Sequence, residues 1–281
     1  MKKLLVAVLL VALAASVACG AGKTLKIAGS TTVLPLSQAW AEEYMAKHPA
    51  VSISVSGGGT GVGISSLING SCDIANASRP AKPKEYQTAK TRKSTLVATR
   101  LAKDGLAIVV NASNNVKNVT MAQLADVYLG KIKRWKHLGG RSDKGIVLVG
   151  RDSASGTYGF FQDEVLGGKS YARSMLSLAS NQAVAQAVAQ SPDAIGYVGI
   201  AYAKQFADSG KVRILSISRK QNQPGIVPSE RNVANETYPL FRFLLAYTMG
   251  KPKGLAGDFL RWCAGPEAQA MVKDTGYLPL R

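Results

Sequence analysis

The residues of this chain best suited to chemistry are short hydroxyls, glycines and arginines gathered into brief runs. They are Gly29-Ser30-Thr31-Thr32, Ser56-Gly57-Gly58-Gly59-Thr60-Gly61, Ser78-Arg79-Pro80 and Arg151-Asp152-Ser153-Ala154-Ser155-Gly156-Thr157. Hydroxyls and backbone amides donate to oxyanions, a guanidinium offers a planar fork of donors to two oxygens, and glycine lets the backbone approach closely. Such a set grips an anion. It is poorly equipped to transform one, because His48 and His137 have no ligand spacing with each other or with a cysteine, and no nucleophile with an adjacent base is visible. The glycine run lacks the lysine of a nucleotide phosphate loop, and the acidic partner of a dinucleotide fingerprint is missing. No cofactor is therefore expected. Each run by itself reads as an ordinary cap or turn. Their repetition in one arrangement points to a shared ligand, a small tetrahedral oxyanion.

The elements that must hold these runs follow from the flanking patterns. Thr24–Ala28 alternates as a strand does; Pro35 suits a first helical turn, and Leu36, Trp40 and Tyr44 recur every four residues along one face. Val51–Val55 alternates strictly and feeds the glycine run, after which a helix should extend to about Asn69-Gly70. Asp73–Ala77 is a short strand ending at Ser78-Arg79. Ile146–Val149 is an apolar strand, and a helix should start near Ser155 and continue to Leu166. Four times, then, a strand delivers a polar loop to a turn or helix start, where unpaired N–H groups and a partial positive pole favour an anion. Thr120 with Gln123 forms a capping box, Asn181–Gln190 has helical spacing, and Ala194–Val198 reads as a buried strand. The aromatic residues Trp135, Trp262, Tyr238, Phe241 and Phe243 read as core or hinge packing.

The chain has 281 residues and a formal charge of +18, enough length for two lobes and a field that attracts anions generally. Its basic residues are scattered and not interleaved with aromatics, so no nucleic-acid partner is expected. Lys2 and Lys3, the apolar run Leu4–Leu13 and small residues up to Cys19 form an export signal over residues 1–19. Ser16-Val17-Ala18-Cys19 resembles a lipobox, making Cys19 the candidate lipidation site and a lipid anchor the one membrane attachment considered. Cys72 and Cys263, in apolar surroundings, are expected as buried free thiols.

The combination GSTTVLPL (29–36), SGGGTGVGI (56–64), DIANASRP (73–80), YLGKIKRW (128–135), RDSASGT (151–157) and TGYLPL (275–280) resembles the substrate-binding protein of the bacterial high-affinity phosphate ABC importer. The likeness spans nearly all of the chain after the signal. It implies an α/β periplasmic-binding-protein fold of type II-like form, with lobe one at 24–106 plus 225–281 and an inserted lobe two at 107–224. The crossovers would lie near 106–110 and 216–226. It further implies inorganic phosphate as ligand, an ABC permease and its ATPase as partners, no enzymatic activity, a monomer, and an exported location. Carried over residue by residue, the ligand contacts are Ser30, Thr31, Thr32, Ser56, Gly57, Ser78 and Arg79 from lobe one, and Arg151, Ser155, Gly156 and Thr157 from lobe two. The better-known branch of that family has an aspartate where Arg79 stands, which makes Asp152 a candidate proton acceptor here.

Overall fold

The computed structural model describes residues 22–281; the export signal, with Cys19, lies outside them. The first part of the chain runs β1 (Lys23–Gly29), α1 (Leu34–Lys47), β2 (Val51–Gly58), α2 (Thr60–Ile68), β3 (Ile74–Ala77), α3 (Pro83–Thr91) and β4 (Leu96–Asn111). The middle follows as β5 (Asn118–Thr120), α4 (Met121–Tyr128), β6 (Val147–Arg151), α5 (Gly156–Glu164), β7 (Leu176–Leu178), α6 (Asn181–Gln190), β8 (Ala194–Gly199) and α7 (Ile200–Asp208). The remainder is β9 (Val212–Ile214), β10 (Ser216–Ser218), α8 (Glu230–Ala234), β11 (Phe241–Met249), α9 (Gly254–Cys263) and α10 (Pro266–Met271).

The strands pair in the order β2-β1-β3-β11-β4-β8-β6-β7, with β9 also on β4, and β5 pairs with β10 in a separate ribbon. β4 belongs to both halves. Its residues Leu96–Gly105 pair antiparallel with β11, and Leu106–Val110 then pair antiparallel with β8. In the first half β1 lies parallel to β2 and β3; in the second, β6 lies parallel to β8 and β7. Parallel strands crossed by helices put the loops after β1, β2, β3 and β6 along the junction of the halves, where α/β sheets carry their ligands.

Local chemistry explains these elements. Leu106–Val110 is an unbroken apolar run, and every residue of it is buried, since helices cover both faces of this stretch. Val184, Ala185 and Val188 form the buried face of α6 against β4 and β8. Leu36, Trp40 and Tyr44 form that of α1. Thr120 Oγ1 accepts from Gln123 N and Gln123 Oε1 from Thr120 N, the reciprocal capping expected of that pair. Cys72 and Cys263 are buried and unpaired with each other. Among the described residues no helix is long and apolar enough to cross a membrane.

Trp40 is fully buried, and its indole N–H donates to Ala268 O at 2.8 Å, tying α1 to α10. Trp40→Ala is expected to lower stability by about 3–5 kcal/mol, read as a reduced urea midpoint at unchanged slope. A cost below about 1 kcal/mol would show that this corner repacks freely.

Candidate functional site

At the junction the loops after β1, β3 and β6 and the start of α2 press their hydroxyls together. Ser30, Thr31, Thr32, Thr60, Ser78, Ser155 and Thr157 are all buried. Ser30 Oγ accepts from the backbone N–H of Thr32 (3.2 Å) and Val33 (3.4 Å), and donates to Ser78 Oγ at 3.0 Å. Thr60 Oγ1 accepts from Ser78 N at 3.1 Å. Ser155 caps α5 by accepting from Thr157 N (3.1 Å) and Tyr158 N (3.3 Å), while Asp152 Oδ1 folds the approach by accepting from Ala154 N and Ser155 N. Across the junction Thr32 Oγ1 lies 3.1 Å from Thr157 Oγ1, and Gly61 N donates to Ala154 O at 2.9 Å.

The lone pairs of these hydroxyls are largely taken. Asn181 is oriented because its Oδ1 accepts from Gly199 N, so its Nδ2 donates to Thr32 Oγ1 at 3.0 Å. Arg242 Nη1 donates to Thr157 Oγ1 at 3.0 Å. Ser155, with both lone pairs filled, keeps only its hydrogen for a ligand; Ser78, Thr60 and one of the Thr32–Thr157 pair also keep a hydrogen to donate, and Ser78 and Thr60 each retain an open lone pair. Carbonyls of the first loop are pinned from outside by Tyr202 Oη on Thr31 O (3.0 Å) and Tyr277 Oη on Thr32 O (2.6 Å). The cradle is thus a set of donors held from behind.

Positive charge completes it. Arg151 is 1% exposed; its Nε donates to Leu178 O (3.2 Å), its Nη2 to Ala179 O (2.9 Å), and its Nη1 is buried with no partner among the described residues. Burial pulls the Arg151 pKa below the usual guanidinium range, and the nearby Arg242 adds to that pull. Arg242 stands opposite Asp104 in the β11–β4 register. Its Nε donates to Asp104 Oδ2 at 2.7 Å; Nη2 lies at the same distance from that oxygen but is too poorly aligned to complete a hydrogen bond. Arg242 Nη1 also reaches Ser78 O at 3.2 Å, and Asp104 Oδ1 accepts from Ile200 N. Burial raises the Asp104 pKa, against the pull of Arg242. Of the two buried guanidiniums, Arg242 is paired with a carboxylate and Arg151 forms no such pair among the described residues. An anion among these donors would balance the second.

Of the residues expected from sequence, Ser30, Thr31, Thr32, Ser78, Arg151, Ser155, Gly156 and Thr157 come together. Ser56 does not: it is exposed, with Oγ directed at Ile27 O, and Gly57 is half-buried beside the Thr31 methyl. Arg79 is buried, but its Nη1 and Nη2 each donate to Glu85 at 2.8 Å and Nη1 also to Pro80 O, so its fork is already spent. Thr60, Asn181, Asp104 and Arg242 join the cluster without having been anticipated. Thr60 was within reach of reasoning, as the hydroxyl at which the helix after the glycine run starts; Asp104 and Arg242 meet only through strand register.

Gly156 sets how closely the halves approach. A Cβ there would lie 2.6 Å from Ser78 Oγ and closer still to Thr60 Oγ1. Gly156→Ala is expected to weaken oxyanion binding about 10- to 100-fold by holding the halves apart, with little loss of thermal stability. Calorimetric titration beside a thermal melt checks this; native affinity would show that the contact relaxes at little cost.

Comparison with known proteins places this geometry in a family. The profile of the PBP superfamily domain matches residues 14–267. The phosphate-binding protein PstS of Bacillus subtilis strain 168 is 36% identical over 261 residues, covering 92% of this chain and 82% of that protein. An ABC-type phosphate transport receptor from Vibrio cholerae has a similar structure, with TM-score 0.72 and 31% identity over 90% of this chain and 99% of its own. A Clostridium perfringens crystal structure with bound phosphate superposes with TM-score 0.81 at 29% identity, over 92% of this chain and all of that one. The two-lobed α/β architecture is the one these relatives share, and the chain belongs to the PBP superfamily and, within it, to the family of PstS phosphate-binding proteins.

Proposed function

We propose that this protein captures inorganic phosphate between its lobes outside the cytoplasm and delivers it to an ABC permease driven by its ATPase. The observation that carries this reading is Arg151 Nη1, a buried donor with no partner among the described residues, on a buried cation at the end of the strand that leads to the Ser155 and Thr157 hydroxyls. The names of the relatives support phosphate as the ligand and import as the purpose. Lobe one comprises 24–106 plus 225–281 and lobe two 107–224. The ligand contacts are Thr31, Thr32, Thr60 and Ser78 from the first, with Ser30 orienting Ser78 from behind, and Arg151, Ser155, Gly156 and Thr157 from the second. The protein works as a monomer, exported by the signal in residues 1–19, with Cys19 as its candidate lipid anchor. Its action is capture: closing the lobes removes the ion from water, so each oxygen must find a donor inside.

One observation favours a second reading, a receptor for another tetrahedral oxyanion such as sulfate. The carboxylates closest to the cradle are engaged, Asp104 with Arg242 and Ile200 N, and Asp152 Oδ1 with Ala154 N and Ser155 N. Asp152 thus orients the arginine loop. A proton on the ligand must be accepted by a hydroxyl lone pair, a weaker barrier to sulfate than a carboxylate.

Calorimetric titration with phosphate, repeated in excess sulfate and at raised salt, separates the two readings. Phosphate binding that survives both supports the first; displacement by sulfate establishes the second. Arg151→Met is expected to cost at least about a hundredfold in affinity by removing a charge-assisted donor, whereas Arg79→Met should cost less than about tenfold.

A further inference from the structure

We infer that Tyr171 and Tyr197 form a positioning clamp that aims Arg151 and its loop at the ligand, an inference that rests on the phosphate reading above. β6 pairs with β8 only at Val147–Ala194 and Leu148–Ile195, then parts from it. The Arg151 N–H donates instead to Tyr197 Oη at 3.2 Å. Tyr197 Oη donates to Tyr171 Oη at 3.2 Å, and Tyr171 Oη to Tyr158 O, in the first turn of α5, at 2.8 Å.

The direction of this chain is forced. A carbonyl cannot donate, so the single phenolic hydrogen of Tyr171 goes to Tyr158 O; that of Tyr197 must then go to Tyr171, which leaves Tyr197 Oη to accept from Arg151. Every link has one orientation. The chain therefore ties the last residue of β6 to the first turn of α5, the two ends of the loop that carries Ser155, Gly156 and Thr157. Together with the Leu178 and Ala179 carbonyls on its side chain, the Tyr197 hydroxyl holds Arg151 from a third direction.

The surroundings preserve the clamp. Tyr197 stacks on Phe161 with centroids 4.3 Å apart, and Tyr171 lies 4.5 Å from the Tyr158 ring. A Cβ on Gly150 would come within 2.9 Å of Tyr197 Oη, so the glycine in β6 admits the hydroxyl. Burial raises the Tyr197 pKa to about 12 and that of Tyr171 higher still, so both hydrogens are present at neutral pH.

The test compares Tyr171→Phe and Tyr197→Phe with Tyr128→Phe. Tyr128 is buried in the same aromatic group, 5.4 Å from Tyr197, but its hydroxyl bonds Val149 O and Ile195 O outside the chain of three. Titration with inorganic phosphate should show affinity lowered about tenfold in the two clamp variants and within about twofold of wild type in Tyr128→Phe. Amide exchange across residues 151–157 of the phosphate-free protein should accelerate in the clamp variants alone, a local readout that general loss of packing would not give. Wild-type affinity and exchange in Tyr171→Phe, or equal weakening in Tyr128→Phe, would overturn the assignment. If the wild-type protein takes up no phosphate, the ligand reading fails while the exchange comparison still decides the clamp.

Discussion

Everything at the junction depends on positive charge placed where water does not reach. Arg151 and Arg242 are both buried, and among the described residues Asp104 is the one carboxylate directly paired with either guanidinium. Burying a cation without compensation costs several kcal/mol, and such a cost is tolerated only where surrounding groups fix the arrangement. Here they do: the Leu178 and Ala179 carbonyls hold Arg151, while Asp104 and Ser78 O hold Arg242. The interior is thereby prepared for negative charge before any ligand contact is considered.

The same groups couple charge to shape. Asp104 and Arg242 face each other on β4 and β11, at the end of their shared ladder, just before β4 passes into the second half of the sheet. From that point Arg242 reaches Ser78 O on one side and Thr157 Oγ1 on the other, and Asp104 reaches the start of α7 through Ile200 N. One ion pair therefore touches loops from both halves. A change in the angle between them would stretch or break these bonds together. Glycine at 156 serves the same end from the cleft side, because loops from the two halves can share a ligand's oxygens only if their backbones nearly touch.

How far this was readable from sequence varied with the range of the interaction involved. Local chemistry was legible: the strand–loop–helix junctions, the Ser155 cap, the Thr120–Gln123 box and the buried Ala194–Val198 strand are decided within a few residues, and the structure shows them. Ser56 misled because hydroxyl type was weighed without strand phase. It lies within β2 on the exposed side of the strand, whereas Thr60 begins the helix and projects into the junction. Arg79 misled because its partner Glu85 lies one helical start away, and a bidentate pair removes the guanidinium from the cradle. Asp104, Asn181 and Arg242 were silent for another reason. Each takes its role from residues that are distant in the chain, and no short motif encodes strand register.

The donor wiring adds a last step about selectivity. A neutral hydroxyl is indifferent to direction until its lone pairs are assigned; backbone N–H groups assign those of Ser30 and Ser155, and Asn181 and Arg242 take lone pairs of Thr32 and Thr157. Once assigned, Ser78, Thr60, Ser155 and one of Thr32 and Thr157 keep a hydrogen to offer, and the cluster is complementary to oxygen atoms that only accept. Such a surface would favour a tetrahedral oxyanion as a class, since a donor group entering it would face other donors. On the proposed reading, discrimination within the class would fall to the few lone pairs left over, on Ser78, Thr60 and whichever of Thr32 and Thr157 donates to the other. On the same reading, class recognition would be distributed over the whole cradle, whereas the distinction between a protonated and an unprotonated oxyanion would be concentrated on these few hydroxyls.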